Sequence, residues 1–234
     1  MSANAGVLQA TPMVEPRSQA SPVTRGAALV EGSEWNPERY TREQIRGLVR
    51  RVFFPAAEPA AKQVVFSAMD AVTCVAALCD QVGRALALET AASVAILGRG
   101  LQVEDRANFQ RYGEPTAIKS WSAQVSPNLW RVPDVGLRAN SENSGTGHYW
   151  LSCLAQLRSE FEYVVIQGPT AGISIEAALL GQMADGIVLV LGARTRKATA
   201  RQIKQTLQAS QSRILGTVLS ERTFPVPEKI YRRL

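Results

Sequence analysis

One histidine and three cysteines in 234 residues leave little material for a metal centre. His148 has no second histidine or cysteine cluster near it in sequence, and Cys74, Cys79 and Cys153 lack the paired spacing of zinc ligands. No metal site is therefore expected, and the cysteines read as reduced core thiols. Aromatic residues make up only 6% of the chain, which leaves no run of stacking platforms of the kind that single-stranded nucleic acids use. No apolar run approaches the roughly 20 residues needed to cross a bilayer. The first residues show neither a basic start with an apolar core nor a lipidation signal. These absences predict a soluble cytoplasmic protein.

Charge is present but uneven. The chain carries a formal net charge of +6, yet residues 191–234 hold ten Lys/Arg against two acids, so the rest is net negative. A basic end of this kind suits an acidic partner, an anionic membrane or nucleic acid, and its simplest reading is a solvated helix face. Residues 1–36, dominated by Ala, Ser, Pro, Gly and Glu without periodicity, are expected to be a disordered leader. The remainder, 37–234, is expected to form a single domain.

The organising stretch is EYVVIQGPTAGISIEAALLGQMADGIVLVL, 162–191. Its two Val/Ile-rich runs, 163–166 and 187–191, are too short for helices and predict strands buried on both faces. Between them Ser174 can cap a helix whose mainly apolar stripe is Ile175, Ala178, Leu179, Gln182 and Met183. Such a βαβ unit sets its loop, Gln167-Gly168-Pro169-Thr170, at the carboxyl end of the first strand, where ligands of open α/β sheets bind.

The same alternation continues on either side. Strands are expected at 63–68, 93–97, 129–132 and 213–219, and helices at 41–54, 72–88, 148–160 and 195–210. In 72–88 the inward residues are Val75, Leu78, Cys79, Val82 and Leu86, and in 195–210 they are Ala198, Ile203 and Leu207. Residues 101–128 have weak periodicity and are expected to hold short helices. The fold class is therefore α/β: a mostly parallel, doubly wound sheet with helices on both faces and a core at 63–219.

The order of these pieces resembles the P-loop ATPases of the ParA/MinD type, and within them the bacterial tyrosine kinases of capsule and exopolysaccharide synthesis. Ala184-Asp185-Gly186 is similar to that family's Val-Asp-Gly strand. Leu215-Gly216-Thr217-Val218-Leu219 is similar to its Leu-Gly-Val-Val-Leu strand, and Asn128 to Pro133 resembles its Asn-Leu-x-Val-Leu-Pro strand. Glu43 and Arg46 match the Glu-x-x-Arg-x-x-Arg helix through which those kinases assemble into rings. The third position is Val49, with Arg50 one residue late. The resemblance implies an oligomerisation helix at 41–54 with Glu43, Arg46 and Arg50 at the interface.

Set against the family's chemistry, the motifs are degenerate. A phosphate-binding loop needs glycines that turn backbone N–H groups inward, a lysine for the β/γ oxygens and a Ser/Thr for magnesium. Here 67–74 reads SAMDAVTC, without glycine or lysine. Val72 stands where the resemblance puts the lysine and Thr73 where it puts the magnesium-binding hydroxyl. The loop is about three residues short, and Asp70 brings negative charge. The family's Asp-x-Asp becomes Gly98-Arg99-Gly100, its next strand-end Asp becomes Gln167, and its adenine-reading Asn becomes Ser220. In place of a cluster of C-terminal tyrosines there is Tyr231.

The sequence therefore predicts no catalytic residues and no cofactor. ATP with magnesium would enter only at an atypically active site, where Thr73, Arg99 and Ser220 are the candidate contacts. The expected function is a kinase-like scaffold or regulator in polysaccharide synthesis or export. Its expected partner is a membrane-embedded chain-length or export protein or a kinase homologue, with self-association through 41–54 and a basic segment at 220–234. It is placed in the cytoplasm or at the inner face of the plasma membrane, where an anionic surface is a further expected contact. The alternatives are an active tyrosine kinase or ATPase, and a ParA-like nucleic-acid binder using Arg194, Arg196, Lys197, Arg201 and Lys204.

Overall fold

The computed structural model describes residues 36–56, 59–98, 117–133 and 146–220. The expectations for the leader up to residue 35, for Arg99, Gly100 and Tyr231, and for the basic segment beyond Ser220 lie outside these residues. Among the described residues seven strands form one sheet in the order β3-β4-β2-β5-β1-β6-β7. The strands are β1 (Gln63–Ala68), β2 (Val94–Gly98), β3 (Ala123–Ser126), β4 (Leu129–Pro133), β5 (Tyr163–Gln167), β6 (Gly186–Leu191) and β7 (Ile214–Leu219). All neighbours run parallel except β3, which pairs antiparallel with β4 at the edge. The helices are α1 (Pro37–Phe53), α2 (Ala76–Thr90), α3 (Ile118–Trp121), α4 (Thr146–Glu160), α5 (Ile175–Met183) and α6 (Lys197–Ala209).

Alternate residues of the strands feed two separate cores, as the period of two requires. Val64, Phe66 and Ala68 of β1 face α1 and α2, where they meet Val49, Phe53, Leu78, Val82 and Leu86. Val65 faces the other way, into a core completed by Leu157 of α4, Leu180 of α5 and Ile203 and Leu207 of α6. Every residue of β1 is buried, so this strand is the floor on which both layers rest.

Local signals set the helix ends. The Asn36 side chain accepts the N–H groups of Glu38 and Arg39 at 2.9 and 3.2 Å, with Pro37 in the first turn, and Pro55 follows the last turn. α1 thus starts four residues before the expected 41. Ser174 accepts the N–H of Glu176 at 3.2 Å and caps α5 as expected.

Several expectations are corrected. α2 begins at Ala76 rather than 72, because the preceding residues form a turn around Asp70. The buried face of α5 is Ala177, Leu180 and Gly181, while Ile175 is 87% exposed. On α6 Ala198 is exposed and only Ile203 and Leu207 are buried. Part of the stretch expected to hold short helices is the strand β3, which holds one apolar residue beyond its alanine, Val125, and lies on the exposed rim.

Candidate functional site

Three loops meet at the carboxyl end of β1, where the crossover topology directs a ligand. The loop after β1 turns on Asp70. One carboxylate oxygen accepts the backbone N–H groups of Val72 and Thr73 at 3.1 and 2.9 Å and the Thr73 hydroxyl at 2.8 Å. The other oxygen accepts the hydroxyl of Thr195, at 2.5 Å, from the loop after β6. Thr195 in turn accepts the N–H of Gly192 at 2.9 Å. A Cβ at Gly192 would come within 2.4 Å of the Thr73 hydroxyl, so only glycine allows the two loops to close on each other here. These bonds hold the Asp70 carboxyl below its ordinary range, the Thr195 hydroxyl contributing most, then the Thr73 hydroxyl and the two amides, against the upward pull of burial.

The loop after β5 covers the same strand end. The N–H of Ala171 donates to the carbonyl of Ala68 at 2.8 Å, the N–H of Gly168 donates to the carbonyl of Phe66 at 2.9 Å, and the Ser67 hydroxyl donates to the carbonyl of Pro169. Gln167 lies across Gly98 of β2, its amide oxygen 2.7 Å from where a Cβ on that glycine would sit. Thr73 is buried and its hydroxyl is held by Asp70, whereas Val72 points outward, 84% exposed. Ser220 follows β7, separated from β5 by β1 and β6, its N–H donating to the carbonyl of Leu191 at 2.7 Å. The fold thus brings Thr73, Gly98 and Gln167 to one end of the sheet and places Val72 on its rim.

No family model matches the chain. By sequence it is similar to the tyrosine-protein kinase CpsD of Streptococcus agalactiae, 27% identical over 96 residues that cover 41% of this chain and 42% of that protein. The tyrosine-protein kinase CpsD of Streptococcus pneumoniae is 31% identical over 101 residues, covering 43% and 39%. Over these stretches the chain is similar to bacterial tyrosine kinases. It spans about two fifths of the length of the curated kinases it matches. Its fold is also that of the VpsO kinase domain, with a TM-score of 0.53 at 16% identity over 80% of this chain and 98% of that one. The MinD cell division protein of Aquifex aeolicus gives a TM-score of 0.51 at 13% identity over 68% and 69%. The class is α/β and P-loop NTPase-like.

Kinases of this fold imply a magnesium-bound nucleotide, and the loop after β1 does not suit one. Its inward donors, the amides of Val72 and Thr73 and two threonine hydroxyls, already surround a carboxylate. A phosphate brought to the same place would meet the negative charge of Asp70 and find those N–H groups taken. Gln167 offers a neutral amide where a carboxylate would bind magnesium or accept a proton. Sequence reasoning found Asp70 but missed its partner Thr195, 125 residues away along the chain.

On α1, Arg46 donates to Glu43 at 3.2 Å one turn away and also to Glu89 at the end of α2, at 3.0 Å. Arg50 approaches the same Glu89 at 3.8 Å. Both arginines expected at a subunit interface therefore also fasten α1 to its own domain, through a carboxylate the sequence reading had not singled out. The side chains of α1 and α2 also enclose an open groove of about 460 Å³ lined by Ile45, Ala85 and Leu88 with Arg42 and Arg84 at its edges.

Proposed function

We propose that this chain is a non-catalytic relative of the capsule and exopolysaccharide tyrosine kinases, serving as a scaffold or regulatory partner of a polysaccharide chain-length or export assembly. Relatedness to the CpsD kinases supports the process. The observation that carries the non-catalytic reading is the Asp70 carboxylate, which takes the donors a phosphate would need. Phosphoryl transfer depends on positioning and charge neutralisation. A loop that carries its own anion supplies neither to a nucleotide. What remains is a rigid α/β body whose surfaces, rather than its crevice, meet other proteins.

Calorimetric titration with magnesium-ATP followed by a phosphotyrosine assay tests this reading. The expected result is no heat of binding and no phosphotyrosine. Micromolar binding with turnover that Gln167→Ala abolishes would replace the scaffold with an active kinase.

A further inference from the structure

Three of the most exposed aliphatic side chains of the described residues stand on the loops that converge at the carboxyl end of β1 and on the first residue of α5. Val72 is 84% exposed, Ile173 74% and Ile175 87%. Burial is the rule for β-branched aliphatics, and these three stand exposed at the same end of the sheet, where water does not favour them. The loops that carry them are not loose. The Asp70 to Thr195 bond ties the first to the loop after β6, and the Ala171 to Ala68 bond ties the loop after β5 to the same strand end. Ala171 packs against the core that contains Met69 and Ile203, so α6 is the neighbour of this patch.

The loop after β6 and the first residue of α6 present Arg194, Arg196 and Lys197, all exposed and none paired with a carboxylate among the described residues. The acids on these loops do not cancel them. Asp70 keeps its negative charge inside its ring of donors and Glu176 in the first turn of α5 adds a second, but two carboxylates against three cations leave these loops net positive. Unpaired cations beside projecting aliphatics make the pattern of a peripheral membrane contact: the cations attract anionic headgroups and the aliphatics enter the boundary of the acyl chains. A nucleic acid would engage the cations but leave Val72, Ile173 and Ile175 in water, and no exposed aromatic side chain on these loops supplies a stacking face.

We propose that this end of the sheet docks on an anionic lipid bilayer, with Val72, Ile173 and Ile175 inserted at the interface and Arg194, Arg196 and Lys197 against the headgroups. The contact goes beyond the scaffold reading and does not depend on it. It uses the rim around the crevice rather than the crevice itself, and among the described residues no helix is long and apolar enough to cross a membrane. Attachment is accordingly reversible and weakened by salt.

Vesicle sedimentation of the full chain tests the proposal, comparing phosphatidylcholine vesicles with vesicles that also contain phosphatidylglycerol. Binding is expected only with the anionic lipid. Arg194→Gln/Arg196→Gln/Lys197→Gln is expected to weaken it on the order of 100-fold, since each cation near a charged surface contributes about fivefold. Ile173→Ser/Ile175→Ser is expected to abolish stable binding while leaving the melting temperature unchanged, as both positions are exposed. No binding at low salt, or binding that ignores both sets of substitutions, overturns the proposal. So does a gel-shift in which duplex DNA binds tightly with the same loss on removing the cations but none on removing the isoleucines.

Discussion

Asp70 is a carboxylate with four donors and, among the described residues, no salt-bridge partner, an arrangement suited to an anion that never leaves. Replacing it by Ala leaves the Val72 and Thr73 amides and the Thr195 hydroxyl without their acceptor. Hydrogen bonds to a charged acceptor are worth more than neutral ones, but the turn lies near solvent, so a loss of about 1–2 kcal/mol is expected from urea unfolding. A pH series gives a second test. The folded-state value of Asp70 lies below its ordinary 3.8, so its contribution is complete above 3.8 and disappears as the pH falls through the lower folded value. The stability difference between the native chain and Asp70→Asn is therefore expected to be constant near neutrality and to shrink under acid; a difference that widened there would contradict the assignment. The carboxylate itself was legible in the sequence, as a negative charge in a loop built for phosphates in related chains. Its partner was not, because Thr195 is an unremarkable threonine until β6 pairs with β1 and brings its loop alongside.

At the scale of elements, α1 is held on by Val49, Val52 and Phe53 beneath and by Glu89 at the rim. Phe53 is fully buried with its ring edge-on to Tyr163 at 5.9 Å, and Phe53→Ala is expected to cost about 3–5 kcal/mol in the same unfolding experiment. Light scattering over a concentration series addresses self-association: a mass that ignores ATP and falls for Glu43→Ala/Arg46→Ala is expected. A strict monomer, or an oligomer indifferent to the double substitution, would leave α1 as a purely internal element. Strands with continuous Val/Ile runs were readable from sequence because burial on both faces leaves no room for polar residues. β3 was not, since an exposed edge strand of four residues needs only its neighbour's backbone. The rotation of α5 escaped for a related reason. With apolar residues on most sides, periodicity does not choose a face, and the close approach of Gly181 to Ser212, 3.0 Å from a Cβ built on that glycine, decides it.

For the whole molecule, ligand linkage gives a direct reading of the crevice. A kinase-like site at a thousandfold excess of nucleotide over its dissociation constant would add about 4 kcal/mol to stability, a rise of roughly 10 °C in melting temperature for a chain of this size. Millimolar magnesium-ATP is instead expected to leave the melting temperature unmoved, and a rise of that order would require a nucleotide site. Topology has a further consequence, for the chain as it is made. β1 lies inside the sheet beside the central strand β5, and its partners are β5, with Gln63 opposite Val164, and β6, with Val64 opposite Gly186. At synthesis rates of about 5–20 residues per second, the strand Gln-Val-Val-Phe-Ser-Ala waits roughly 5–20 s on the ribosome for its first neighbour. During that interval its Val64, Val65 and Phe66 have no sheet to enter, so the nascent chain is most exposed to chaperones and to aggregation while residues 69–162 are being added, and a chain released before residue 163 has no route to this fold.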